Sequence, residues 1–356
     1  MLKPITFALL AGFACVSLAE PLNLMGTETH TITLNNQGGN KYFNTQAPTT
    51  KKLTFMAFKL SDKAQQNLLA RGERLALNTV NSLYRSQQLG MNGVPVLDQG
   101  VHGSCVTFAA TAAVDAAFRL GDGISQLCQL ELGSYLEKVS YAPSGWDGSF
   151  GHIVLNQMSV FGVVSKKLQF SEGCGGLKVY PDTNPDTPEN QITPEEFFAL
   201  QKSKLSFDPN FFWYPILHAN HAFNHENDAV DFNKVLEHVK SSIDLGDRVV
   251  FGSLLVSVDD GVAGAVGKYR VANDSWILTD KLRKDMENTK EFAGHEMVIT
   301  GYDDDATITD SDGKVHKGLF TIRNSWSKYV GDHGNFYMSY EYFTNLVIEA
   351  HHIISK

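Results

Sequence analysis

The chain has 356 residues, of which 43% are hydrophobic and 19% are charged. This composition is typical of a globular protein and excludes a disordered chain. The net charge of −9 disfavours nucleic acid as a partner, because proteins that bind nucleic acids present a basic surface to the phosphates. No apolar run after residue 20 is long enough to span a bilayer, so we expect no membrane association once the first segment is removed.

Residues 1–19 have the pattern of a secretory signal peptide. Lys3 gives the positive start, Ile5–Val16 form the apolar stretch, and small residues precede a cleavage site before Glu20. The pattern predicts secretion to the periplasm or the extracellular medium, where disulfides form. Cleavage removes Cys15 and leaves three cysteines, an odd number that leaves one thiol outside any disulfide.

Residues 20–90 differ in charge from the rest of the chain. They carry a net charge of +4, whereas residues 91–356 carry −14. Opposite charges favour docking of the first segment onto the second, as a pro-segment would dock. An ordinary first layer of the fold is an equally good interpretation, and the sequence leaves both open.

Along the chain, most of the predicted helices come before most of the predicted strands. A β-like stretch at Thr29–Leu34 precedes an amphipathic helix over Lys63–Tyr84, and small residues from Ser104 to Leu120 predict a tightly buried helix. The remaining predicted elements are helices around Leu132–Val139 and Ile153–Phe161, and strands over Val249–Val258, Met297–Tyr302, Leu319–Arg323 and Asn335–Tyr340. Helices first and strands second indicate an α+β fold with two subdomains and a groove between them.

Residues 175–230 do not fit this plan. Three prolines make an extended entry, and Thr193–Glu196 form a capping box that opens a helix. An aromatic run follows at Phe211–Tyr214, and Asp231 is placed to cap the next helix. We interpret this stretch as an inserted helical segment.

The first stretch whose residues could take part in a reaction is 98–108, with the sequence DQGVHGSCVTF. It places Cys105 at the first turn of the buried helix, where free N–H groups and the helix dipole lower a thiol pKa. Gln99 lies on a Gly-flanked loop and can fold back beside the thiol. Its amide and the Cys105 backbone N–H together would hold an oxyanion. A buried structural cysteine is the alternative on the helix pattern alone.

Two later stretches supply the partners that such a thiol needs. They are 294–302, with the sequence GHEMVITGY, and 321–326, with the sequence TIRNSW, followed by GDHGNF at 331–336. His295 starts one strand and Asn324 ends another, so both can meet in one β-subdomain. Asn324 would orient the imidazole, and Trp326 would shield their hydrogen bond from water.

Together these stretches resemble the papain-like cysteine peptidases of the C1 family over roughly Val94–Tyr342. The resemblance implies a helical half and an antiparallel β-barrel half, with the active site in the cleft between them. It implies four catalytic residues: Cys105 as nucleophile, His295 as base and acid, Asn324 as the orienting residue and Gln99 as the oxyanion donor.

The same resemblance extends to the substrate site. Gly148, Ser149 and Phe150 match the strand whose glycines bind the substrate backbone, with Ser149 in place of a glycine, and Trp326 is placed with them. A disulfide between Cys128 and Cys174 is our preferred assignment for the remaining cysteines, and two buried thiols are the alternative.

The chain also departs from the family pattern. Val106 stands where the family has tryptophan, and His102 stands where it has a cysteine. Cys105 and His295 are 190 residues apart, against about 130–150 residues in the family pattern. The excess fits the insertion at 175–230. The family's pro-segment helix signature is not recognisable in 63–84, which leaves the role of 20–90 open.

Histidines at 218, 221 and 225 have i, i+3 and i+7 spacing, which is compatible with metal binding on a helix. No cysteine or acid is arranged with them in a known motif, so surface histidines are the better interpretation. We assign no metal site and expect no cofactor.

These patterns predict an exported cysteine protease that hydrolyses peptide or protein substrates as a monomer, through an acyl-enzyme intermediate. Two alternatives remain open. The chain can be a binding protein with a peptidase fold, since Val106 and the insertion depart from the sequence pattern of the family. The same residues can also cleave isopeptide bonds or transfer acyl groups.

Overall fold

The structure is a computed structural model that describes residues 21–33, 50–74, 84–189, 191–201, 211–219, 221–223, 230–256 and 274–355. The expected signal peptide at 1–19 and the histidine at 225 lie outside these residues. Within them, no helix combines the length and the apolar character that crossing a membrane requires.

The helices of the described residues lie mostly in the first half of the chain. They are α1 (Asp62–Arg74), α2 (Cys105–Phe118), α3 (Gln126–Lys138), α4 (Gly151–Phe161), α5 (Lys166–Ser171), α6 (Pro194–Gln201), α7 (Phe232–Asp244), α8 (Asp280–Asn288) and α9 (Tyr340–Leu346).

Three strands lie within the first 90 residues, and the other seven strands of the described residues lie after residue 210. They are β1 (Leu22–Thr33), β2 (Thr50–Leu60), β3 (Ser86–Gln88), β4 (Phe211–Leu217), β5 (Arg248–Leu255), β6 (Ser275–Trp276), β7 (Glu291–Thr309), β8 (Val315–Arg323), β9 (Asn335–Ser339) and β10 (Val347–Ser355).

This element order confirms the α+β class. The strands form one sheet with the order β4-β10-β5-β7-β8-β9-β6, and all neighbouring pairs are antiparallel except β6 with β9. Among the described residues the path is open from β4 to β6, so the closed antiparallel barrel is not confirmed. The long strand β7 is central, because β2, β3, β5 and β8 all pair with it.

Helix α2 is buried against this sheet. Every residue from Cys105 to Ala116 is buried, and the alanines allow the backbone to approach the sheet closely. Its apolar cluster includes Val250, Val298 and Ile353 from three neighbouring strands. The helix therefore carries Cys105 onto the surface of the sheet that also holds His295.

The N-terminal segment is part of the same sheet. Strands β1 and β2 form a hairpin, and β2 pairs with β7 from Met56 opposite Gly294 to Lys59 opposite Glu291. Leu53, Phe55 and Leu60 of this segment are at most 2% exposed and belong to the main apolar cluster. The hairpin is thus packed onto the body directly beside residue 295.

The helical interpretation of 175–230 is wrong for its aromatic run. Within the described part, Pro194–Gln201 is helical and begins with the expected capping box: Glu196 N–H donates to Thr193 Oγ1 at 3.2 Å. Phe211–Tyr214, however, lie in β4, which pairs antiparallel with β10 at the edge of the sheet. The partner strand lies more than 130 residues later, so a local pattern could not reveal the pairing.

The preferred cysteine pairing is present. Cys128 in α3 and Cys174 after α5 form a disulfide, with their Cα atoms 5.2 Å apart and a sequence separation of 46. Cys105 is the free cysteine of the described residues and is buried. The disulfide links two segments of the helical half, and both cysteines belong to an apolar cluster of helix and loop residues.

We predict that loss of this disulfide lowers the free energy of unfolding by about 2–4 kcal/mol, because a loop of this length is no longer closed in the unfolded chain. Urea unfolding of the Cys128→Ala/Cys174→Ala double variant measures the change. Cys105→Ser is the matched control, since it removes a cysteine without opening a loop. Equal unfolding midpoints for the double variant and the wild type would contradict the prediction.

Candidate active site

Cys105 is the first residue of α2 and is 4% exposed. Ser104 precedes it but does not cap the helix with its side chain; its Oγ is 2.8 Å from the Tyr180 hydroxyl instead. Backbone N–H groups of Glu296, Val106 and Cys105 itself point at the sulfur. The thiol therefore lies where the start of α2 meets β7.

His295 lies on β7 and Asn324 directly follows β8, its antiparallel neighbour. Their side chains are joined by a hydrogen bond of 2.8 Å between His295 Nε2 and Asn324 Oδ1. Both residues are nearly fully buried, at 2% and 3% exposure. The expected meeting of the two residues in one sheet is thus observed.

A further hydrogen bond fixes the orientation of the asparagine amide. The backbone N–H of Ser325 donates to Asn324 Oδ1 at 2.7 Å, and an N–H can only meet the oxygen of the amide. The same oxygen must accept from His295, so Nε2 carries the proton. In the neutral ring Nδ1 is then unprotonated, and it is buried without a hydrogen-bond partner among the described residues. His295 therefore presents a free lone pair on the side away from Asn324.

Two aromatic rings hold the imidazole. Trp326 stacks on His295 with ring centroids 4.7 Å apart and an angle of 27° between the planes. Phe55 of β2 meets His295 edge to face at 5.6 Å. Trp326 is itself 2% exposed and packs on the ring whose Nε2 forms the hydrogen bond to Asn324.

Gln99 is fully buried on the loop before α2. Its Oε1 accepts from Ser325 Oγ at 2.8 Å, and its Nε2 donates to the carbonyl of His102 at 2.9 Å. The amide keeps a second N–H for another acceptor. Ser325 thus contacts both amides of the site. The sequence analysis passed over it, although it stands next to Asn324 in the TIRNSW stretch.

One pocket brings five of the candidate residues together, whereas Gln99, Asn324 and Trp326 are not part of its lining. Its lining includes Cys105, His295 and the three residues expected to bind substrate, Gly148, Ser149 and Phe150. Gly148 has a φ of +114°, a conformation that favours glycine.

Part of the pocket is filled by the chain's own strand β2. Met56 and Phe58 line it, and a Cβ on Gly148 would lie only 2.5 Å from Met56 Cε. Phe58 contacts the ring of Phe150 at a centroid distance of 5.9 Å. The sequence analysis did not identify these two residues, because only the fold brings strand 50–60 to the site.

Burial sets the protonation of the pair. It raises the pKa of the Cys105 thiol to about 12, more than the surrounding backbone N–H groups lower it. It also lowers the pKa of His295 to about 4, against the smaller raising effect of the hydrogen bond to Asn324. Both groups are therefore neutral at pH 7 in this arrangement, as a thiol and an imidazole.

Comparison with known proteins agrees with the motifs. Residues 216–354, which include His295 and Asn324, match the sequence model of the Peptidase C1-like family. The match confirms the resemblance to papain-like cysteine peptidases for the part of the chain that it covers. No curated protein sequence matches the chain.

Similar solved structures are also cysteine proteases. Xylellain, a cysteine protease from Xylella fastidiosa, is 19% identical over 82% of this chain and 89% of its own, with a TM-score of 0.49. The bromelain protease from Ananas comosus, solved with the E64 inhibitor, is 14% identical over 77% of this chain and 100% of its own, with a TM-score of 0.45.

We predict slow alkylation of Cys105 in the native protein at pH 7. Because the thiolate is the reacting form, the rate with iodoacetamide should rise about tenfold for each pH unit from 7 to 9. Mass mapping after brief treatment measures the rate and should leave Cys128 and Cys174 unlabelled. In urea the rate should instead level off above the ordinary thiol pKa of about 8.5. Fast labelling of the native protein that does not change with pH would contradict this assignment.

Proposed function

We propose that this chain is an exported cysteine peptidase in which Cys105, His295, Asn324 and Gln99 carry out peptide hydrolysis. One observation carries the proposal. Asn324 holds His295 with its Nε2 proton engaged, while the free Nδ1 and the Cys105 thiol belong to one pocket. Nucleophilic catalysis requires a base held in a fixed tautomer within reach of a thiol. Here the base and the thiol line one pocket, with no hydrogen bond between them in this form.

In the proposed reaction His295 Nδ1 takes the proton of the Cys105 thiol, and the sulfur attacks the substrate carbonyl carbon. The Gln99 side-chain amide and the Cys105 backbone N–H donate hydrogen bonds to the oxyanion that forms. The imidazolium then protonates the leaving amine, and the C–N bond breaks to leave a thioester. Water, deprotonated by His295, hydrolyses this acyl-enzyme and restores the thiol.

Gly148, Ser149 and Phe150 would bind the substrate next to the scissile bond. Their support is their place in the pocket and the positive φ of Gly148, which lets another backbone approach closely. Trp326 would act through His295, since it stacks on the imidazole.

We predict that His295→Ala lowers kcat/KM for a peptide amide by about 10²–10⁴-fold, because it removes the base and acid of the reaction. Asn324→Ala should cause a smaller loss, mainly in kcat, because the base remains but is no longer oriented. The matched controls are His238→Ala and Asn288→Ala, which change exposed residues of α7 and α8. Hydrolysis by His295→Ala at the wild-type rate would refute the triad and favour a binding protein.

We further propose that β2 blocks the site and makes this form latent. The strand is attached on both sides of the catalytic pair. Lys51 forms an ion pair with Asp98 and donates to the Trp326 carbonyl at 3.2 Å, while Met56 rests on Gly148. Between these points Phe55 contacts both His295 and Trp326. A substrate would have to displace this strand.

The block also suppresses the reactive form of the pair. Phe55 and Met56 exclude water from His295 and Cys105, and this burial disfavours both thiolate and imidazolium. Displacement of β2 would return water to the site and allow the ion pair to form. The charge difference between 20–90 and the rest of the chain is consistent with this docking.

We predict that Met56→Ala and Lys51→Ala accelerate labelling of Cys105 by an epoxide inhibitor of cysteine peptidases at least about tenfold. The loss of one buried methionine contact, about 2 kcal/mol or more, is enough to shift the closed state by that factor. Lys59→Ala is the control, because this exposed residue of β2 pairs with Glu291 outside the pocket.

These variants are preferable to deletion of residues 20–90, since Leu53, Phe55, Leu60 and Leu68 of that segment belong to the main apolar cluster. Near-ultraviolet circular dichroism should show that each variant keeps its tertiary structure. If folded Met56→Ala and Lys51→Ala label no faster than Lys59→Ala, the hairpin is a structural layer and does not control access.

A further inference from the structure

A second cluster of histidine and carboxylate side chains adjoins the pocket, and its Glu349 is one of the residues that line the pocket. His152 in the first turn of α4 and Glu349 and His351 on β10 place one ligand atom each within 4.8 Å of one another. Glu349 Oε2 is 3.2 Å from His152 Nδ1 and 2.9 Å from His351 Nε2. Glu349 and His351 are almost completely buried, whereas the His152 side chain is 38% exposed. The cluster is therefore preorganised and open to solvent on one side.

A second carboxylate lies behind the cluster. Glu296 on β7 and Glu349 on β10 both stand opposite Gly252 of β5, so the three residues form one row across the sheet. A Cβ on Gly252 would lie 2.7 Å from Glu296 Oε2 and 3.2 Å from Glu349 Cγ. The glycine thus leaves the space that the two carboxyl groups occupy.

Glu296 gives an independent indication of a ligand. Its side chain is 3% exposed, and its Oε1 has no hydrogen-bond partner among the described residues. That oxygen and the His351 ring both crowd the Cα of Gly151: a Cβ there would lie 2.6 Å from Glu296 Oε1 and 3.0 Å from His351 Cδ2. Two carboxyl groups buried side by side repel each other when ionised, and a bound cation relieves that repulsion.

We propose that His152, Glu349 and His351 bind a divalent transition-metal ion, with Zn²⁺ as the best fit, and that Glu296 supports the site from behind. Two imidazoles with a carboxylate are a ligand set typical of Zn²⁺. For metal–ligand bonds of about 2.0–2.1 Å, tetrahedral ligand atoms lie about 3.3 Å apart. The two distances from Glu349 Oε2, 3.2 Å and 2.9 Å, are close to this value, and all three ligand atoms lie within 4.8 Å of one another. The ion would lie between Glu349 Oε2 and the two imidazole nitrogens that are now hydrogen-bonded to it.

The geometry relates this ion to the pocket without making it part of the proposed thiol chemistry. Glu349 Oε1 accepts the Gly151 backbone N–H at 2.7 Å, directly after the residues Gly148–Phe150 that line the pocket. The metal ion would therefore hold one wall of the cleft. His218, half-buried at the end of β4, lies 6.3 Å from His351 between ring centroids and offers a further imidazole on the outer side.

The test is zinc binding by the full chain after signal-peptide removal, produced without a histidine tag and stripped with a chelator. Calorimetric titration with ZnCl₂, and metal analysis after gel filtration, should give one zinc per chain. Zinc should also raise the thermal midpoint, because an ion that binds only the folded state stabilises it. His152→Ala, at the partly exposed ligand, and His351→Ala should each weaken binding at least about tenfold.

Two controls distinguish this site from other zinc ligands. His238→Ala removes an exposed histidine of α7 and should leave zinc binding unchanged. Cys105→Ser should also retain it, since the ion does not use the thiol. If wild type shows no saturable binding, or if Cys105→Ser loses zinc while His152→Ala keeps it, the proposed site is wrong. Peptidase activity does not enter any of these measurements, so their outcome is independent of the proposed function.

Discussion

The hydrogen bond between Ser325 N–H and Asn324 Oδ1 is a small interaction on which the candidate active site depends. It forces the asparagine oxygen towards His295, and this in turn decides which imidazole nitrogen carries the proton. The Ser325 hydroxyl meanwhile holds Gln99 by its amide oxygen. One residue at the end of β8 thus orients the groups proposed as base and as oxyanion donor, and ties the loop before α2 to the sheet.

The catalytic candidates could be predicted because each lies in a short stretch whose residue types indicate its secondary structure. Small residues mark α2, and the apolar runs around His295 and before Asn324 mark β7 and β8. These signals are local, so the helix and strands appear near their predicted positions. Register and pairing are not local. The edge position of β4, the open sheet and the placement of Met56 over Gly148 depend on contacts between distant segments, which periodicity does not encode.

The N-terminal segment illustrates the same limit. Its charge suggested docking onto the rest of the chain, and the sequence could not say whether the docking was structural or regulatory. In the fold, Leu53, Phe55, Met56 and Leu60 of β2 all belong to the main apolar cluster. Phe55 also contacts His295, and Met56 also lines the pocket that contains Cys105. One strand of eleven residues thus contributes to the apolar core and, in the proposed latent form, also covers the site.

The pairing of β2 with β7 also affects how a substrate competes for the site, because β2 is covalently joined to the body on which it packs. Because the strand is tethered to the body it covers, it rebinds at an effective concentration that, for short tethers, is in the millimolar range. A substrate present at micromolar concentration competes poorly with such a neighbour, however well it fits. The same strand supplied as a free peptide would lose that advantage. In the proposed latent form, Met56 resting on Gly148 would set a threshold on substrate concentration, and a single cut in the tether would remove it.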